Sequence, residues 1–173
     1  MTRNCDTTIR KANRMSDDRT LVLERTLAAP PEKVWRCWTE PDLIKQWFAP
    51  KPVLTTEVEI DLRPGGIFRT VMEVPDHGTM AGDPGCILLV EDGQRLVWTS
   101  ALGPGFHPNA FSDDPMSFPF TADIRIEPDG DGCRYVAIAM HASQTDSSAH
   151  EQMGFMDGWG AAVDQLGALA ASL

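Results

Sequence analysis

Apolar and polar positions alternate most strictly over Glu57–Leu62. Val58, Ile60 and Leu62 fall to one side and Glu57, Glu59 and Asp61 to the other, the period of a half-buried strand. The same period runs from Thr20 to Leu27 around Leu21, Leu23 and Arg25. It returns from Phe118 to Ile126, with Phe118, Phe120, Ala122, Ile124 and Ile126 inward. Ile67–Val74, Cys86–Val90, Arg95–Ser100 and Cys133–His141 complete the predicted strands. The last is apolar on both faces, which places it centrally in a sheet and leaves its parity open. Turn chemistry separates them. Arg63-Pro64-Gly65-Gly66 has Pro and Gly at the two central turn positions, and Asp92-Gly93 is a two-residue hairpin signal.

Helical spacing appears in three places. Pro30-Pro31 breaks the first strand, Pro31 suits the first turn of a helix, and Val34 and Trp38 share a face over Glu32–Trp38. A second short helix follows, with Thr39 as its expected cap and Pro41 and Asp42 early in it. Pro50 and Pro52 end it after Trp47 and Phe48. Near the C-terminus, Ser148-Ala149-His150-Glu151 matches a capping box, and Met156, Trp159, Val163, Leu166 and Ala170 form an apolar stripe. Pro75–Gly85 and Ala101–Ser117 read as loops. The predicted order is strand, two short helices, six strands and one long helix, without an internal repeat.

Charge divides the chain unevenly. Its net charge is −10, yet residues 1–14 hold Arg3, Arg10, Lys11 and Arg14 against Asp6 alone. A flexible tail over 1–18 before a domain over 19–173 is expected. Met15 offers a second start, and a short basic arm for anionic surfaces is the alternative. The acidity argues against a nucleic-acid partner. Neither a secretory h-region nor an apolar run long enough to span a bilayer is present, which predicts a cytoplasmic protein with no membrane span. Cys5, Cys37, Cys86 and Cys133 lack Cys-x-x-Cys spacing, so four free thiols and no metal are expected.

The order of elements and several motifs resemble one family. They are Arg25-Thr26-Leu27-Ala28-Ala29-Pro30, Val34–Thr39, Pro41–Pro50 with Trp47-Phe48, Asp61–Gly66, Arg95–Thr99 and Met153–Trp159. Residues 20–171 are similar to stand-alone bacterial relatives of the activator of the heat shock protein 90 ATPase, within the START-like (SRPBCC) superfamily. The resemblance implies an α+β helix-grip fold: a curved antiparallel sheet of six to seven strands around a long C-terminal helix, with two short helices after the first strand. Gly158-Trp159 is expected to bring the helix backbone close to its neighbours. The loops Thr79–Pro84 and Gly103–Ser117 look longer than the family's pattern and are placed to reshape a cavity mouth.

A sheet gripping a helix encloses a space. Its expected lining is Phe68, Thr70 and Met72, then Trp98 and Phe120, with Met153, Met156 and Trp159 from the helix. Trp38, Trp47 and Phe48 are expected to close one end. Apolar walls with a few polar groups suit a small apolar ligand, although the same side chains could simply fill a core. His141, ending an apolar strand, is the one acid–base candidate, while His150 in a first helical turn reads as exposed, and His77 and His107 lie in loops. No nucleophile, phosphate-loop or dinucleotide motif occurs, so no catalytic set and no cofactor are predicted. Three readings result. The first is a carrier or sensor of a small apolar molecule, the second a partner of a chaperone, and the third a cyclase- or hydrolase-like enzyme by analogy. A homodimer is also admitted.

Overall fold

The computed structural model describes residues 17–173. Residues 1–16 of the expected 1–18 tail, with the second start at Met15 and the Cys5 thiol, lie outside the described residues. Within them, Asp17 pairs with Arg19 at 2.8 Å and β1 (Thr20–Leu27) begins at once.

Two short helices follow, α1 (Pro31–Thr39) and α2 (Pro41–Trp47), each with Pro in its first turn. Their boundary differs from expectation in one respect. Glu40, not Thr39, is the cap of α2, because the Thr39 hydroxyl is already donated to the Trp35 carbonyl at 2.9 Å. Helix α1 buries Val34, Trp35, Cys37 and Trp38.

The strands then run β2 (Leu54–Ile60), β3 (Ile67–Val74), β4 (Gly78–Ala81), β5 (Gly85–Glu91), β6 (Arg95–Thr99), β7 (Leu102–Gly103), β8 (His107–Pro108), β9 (Phe120–Asp129) and β10 (Gly132–His141). The main sheet has the order β1-β10-β9-β6-β5-β3-β2, with β4 paired to β3. All its pairings are antiparallel. β4 corrects the reading of Pro75–Gly85 as loop. Gly78 at φ 78° turns the chain back so that Val74 pairs with Gly78 and Val71 with Ala81. Ala101–Ser117 likewise contains the small β7–β8 hairpin.

β10 lies between β1 and β9, and the register resolves its parity. Tyr135, Ala137, Ala139 and His141 stand opposite Ile126, Ile124, Ala122 and Phe120, so the odd positions face inward. The other face is apolar because it too is covered. Val136 lies between Glu24 and Arg125, and Ile138 between Val22 and Asp123. There Asp123 is buried and takes paired hydrogen bonds at 2.9 Å from Arg95 and a 2.8 Å bond from Arg125. Burial alone would raise the Asp123 carboxyl, but the two guanidinium groups outweigh it and hold the pKa below its ordinary value.

The C-terminal segment is two helices, α3 (Gln144–Gln152) and α4 (Phe155–Ser172), not one. Ser143 caps α3, its side chain accepting from the Asp146 N–H at 3.1 Å, so the expected capping box at Ser148 lies inside the helix. Gly154, at φ 90°, separates the two, a conformation that favours glycine. The expected stripe on α4 is buried at Val163, Leu166 and Ala170 and half-buried at Trp159, joined by Phe155 and Ala162, whereas Met156 is exposed.

Candidate functional site

Helix α4 lies across the concave face of the sheet and is fastened at two places. Gln165 donates to the Trp47 and Ala49 carbonyls at 3.0 and 2.8 Å and accepts from the Lys51 N–H at 3.1 Å, tying α4 to the end of α2. Arg25 on β1 reaches Asp164 at 3.6 Å. The close backbone approach expected at Gly158 occurs instead further along. A Cβ on Gly167 would meet Leu27 at 3.1 Å, while one on Gly158 would meet nothing within 4 Å.

Gly158 lines a cavity of about 560 Å³ between sheet and helices. Trp38, Trp47 and Phe48 line it from the short helices. The sheet supplies Phe68, Thr70 and Met72 from β3, Trp98 from β6 and Phe120 from β9. Met153 and Trp159 line it from the helical segment. Met156 does not, because the Gly154 break turns it outward, where it is 45% exposed. Trp159 is half-buried, against Phe155 at a ring separation of 4.7 Å.

Four of these rings form an unbroken band. Phe48 meets Phe68 at 5.7 Å, Phe68 meets Trp98 at 4.8 Å, and Trp98 meets Phe120 at 5.3 Å. Gly85 stands beside Phe68 on β5, between β3 and β6, where a Cβ would lie 2.8 Å from the Thr99 carbonyl oxygen. The rings touch along the wall and leave the cavity open. Both irregular loops reach its mouth, one with Gly82 and Asp83, the other with Phe111, Met116 and Ser117. Asn109 holds the second loop down, donating to the Pro84 and Ser100 carbonyls at 2.9 and 3.0 Å.

Polar groups on this wall are few. The Trp38 and Trp98 indole N–H groups are buried without a hydrogen-bond partner, whereas Trp47 donates to the Cys37 carbonyl at 2.8 Å. Burial pushes the Tyr135 phenol well above its usual range, so it stays protonated. His141 is buried and held from both sides: its Nδ1 lies 2.9 Å from the Arg19 carbonyl and its Nε2 lies 2.8 Å from Nδ1 of His150. It is not a lining residue; His150 is. His150 is only 8% exposed, which corrects the expectation of a solvated ring. The helix is capped five residues before the expected cap, so His150 sits in its last turn, packed against Phe118, Phe120 and Phe155. Burial, and secondarily His141, pushes its pKa down to about 4.

Sequence reasoning missed His150, Tyr135 and Gly158 as lining. The helix start hid the first and the ambiguous strand parity the second. Gly158 did carry a signal, since glycine inside a helix costs stability and calls for a reason. Cys37, Cys86 and Cys133 are buried free thiols, with Cys37 and Cys133 pushed up to about 11 by burial. Among the described residues, no group of three or more His, Cys, Asp or Glu is placed to share a metal, and no helix is long and apolar enough to cross a membrane.

Comparison with known proteins places this geometry among relatives. The family model described as "Activator of Hsp90 ATPase homolog 1-like protein" matches residues 28–171. A crystal structure from Nitrosomonas europaea is 41% identical, with a TM-score of 0.84, covering 91% of this chain and 97% of that one. One from Mycobacterium smegmatis is 27% identical, with a TM-score of 0.72 and coverage of 88% and 91%. One from Rhodobacter sphaeroides, at 21% identity, a TM-score of 0.75 and coverage of 90% and 95%, shares the fold. No curated protein matches the chain.

Proposed function

The chain belongs to the activator of Hsp90 ATPase homolog 1-like family, with its helix-grip fold, and within that family we propose that it binds a small apolar molecule in the cavity between sheet and α4. The observation that carries this reading is the pairing of the 560 Å³ cavity with Gly158. Pockets for small molecules have this size and this mostly apolar lining. At Gly158, on the cavity wall, a helix interior gives up the stability a side chain would bring. A core under selection for packing alone would fill it.

The cochaperone reading draws on the family's description. The cavity gives it no specific support, and it stands second.

The test is a fluorescence titration with N-phenyl-1-naphthylamine, whose emission rises in apolar surroundings. The full chain should give a saturable rise at micromolar probe. Gly158→Phe, which places a ring in the cavity, should weaken it at least ten-fold. Absence of saturable binding, or equal binding by the variant, would remove the proposal.

A further inference from the structure

Among the ring nitrogens that line the cavity, the unpaired Trp38 and Trp98 N–H groups are donors, and His150 is the one described residue that can offer an acceptor. The proton positions in its pair follow from the partners. The Arg19 carbonyl can only accept, and it takes both the backbone N–H and the ring of His141 at 2.9 Å. His141 therefore carries its proton on Nδ1, and in the neutral ring Nε2 is left as an acceptor. The 2.8 Å contact to His150 then requires His150 to donate from Nδ1. Its Nε2 is left bare, a lone pair with no protein partner among the described residues, on a ring that lines the cavity and is more than nine-tenths buried.

We propose that His150 Nε2, fixed as an acceptor by the His141–Arg19 relay, makes this a site for neutral apolar molecules that carry a hydroxyl group, an alcohol or a phenol. The inference rests on the cavity being a ligand site. A hydroxyl donates to this lone pair, whereas an ether oxygen cannot donate and meets it lone pair to lone pair; the unpaired Trp38 and Trp98 N–H donors can serve either oxygen and do not distinguish the two. A carboxylate fares no better. Among the described residues, the only charged one lining the cavity is the exposed Asp83, so none of them supplies a cation to balance a buried anion. The depressed His150 pKa agrees with this, since the ring remains an acceptor throughout the neutral range.

Calorimetric titration of the full chain at pH 7 with 2-naphthol, 2-methoxynaphthalene and 2-naphthoate tests the assignment. The three share one apolar body and differ in the group offered to His150. The naphthol should bind about ten-fold tighter than either of the others, and His150→Phe should bring the naphthol-to-ether ratio close to one. A second readout needs no variant. In long-range ¹H–¹⁵N spectra of the wild-type histidine rings, the unprotonated Nε2 signal of His150 should move on binding naphthol and stay in place on binding the ether. Equal affinities, tightest binding of the naphthoate, or an unmoved Nε2 signal with naphthol bound would overturn the hydroxyl preference and leave the apolar site standing. Failure of all three to bind would overturn the site itself.

Discussion

His150 carries a stability consequence of its own. Its pKa is about 4 in the folded chain against about 6.5 when exposed. Between these values the unfolded chain takes up a proton that the folded chain refuses, so stability is full above about pH 6.5 and falls as the pH drops toward 4. From pH 7 to pH 5 the loss attributable to this ring is about 2 kcal/mol. Urea unfolding at the two pH values should show it, and His150→Phe should flatten that interval; an equal loss in both proteins would refute the assignment. Two glycines supply a second residue-scale prediction, with opposite signs. Gly158→Ala adds a methyl where nothing lies within 4 Å, and helix propensity should make it stabilising by about 0.5–1 kcal/mol. Gly66→Ala would set a Cβ 2.0 Å from the Asp61 carbonyl, and should cost at least about 2 kcal/mol. Thermal unfolding of both variants reads this directly.

At the scale of elements, the helix start separates what the sequence makes legible from what it does not. Ser148 with Glu151 and Ser143 with Asp146 are both capping-like pairs, and only tertiary packing selects between them. The structure uses Ser143, because burying His150 against Phe118, Phe120 and His141 requires helix around it. Ser143→Ala should therefore cost about 1 kcal/mol, and Ser148→Ala less than about half that. A larger effect at Ser148 would restore the later start. Strands were legible wherever one face carried mostly polar side chains, as over Thr20–Leu27 and Phe120–Ile126, since alternation then survives in the sequence. β10 is covered on both sides and lost that alternation, and with it the inward role of Tyr135. β4 is short and exposed throughout, so no apolar period announced it within the turn residues around it.

On the scale of the whole molecule, motifs spread from Arg25 to Trp159 made the helix-grip architecture readable, and the family match over residues 28–171 agrees with it. The short-helix end of the cavity was readable too, because Trp38, Trp47 and Phe48 are large apolar residues on elements too short to bury them alone. The histidine pair was not. It joins two residues nine positions apart through a helix start and a strand end that no local pattern fixes. A ligand-binding role also predicts a difference from the family's description. In a coupled assay with the chaperone from the same organism, saturating protein should leave the ATPase rate unchanged. A reproducible several-fold rise would favour the cochaperone reading.

Methionines placed around the molecule allow the central claim to be measured directly. Met72, Met116 and Met153 line the cavity, and Met80, Met140 and Met156 lie elsewhere with their side chains exposed. With methyl-¹³C methionine in the full chain, titration with N-phenyl-1-naphthylamine should shift the Met72 signal most, with Met116 and Met153 following at the same midpoint. Met80, Met140 and Met156 should stay fixed. Saturable shifts confined to those three exposed methionines, with Met72 unmoved, would place the probe on the surface and contradict a ligand site between the sheet and α4.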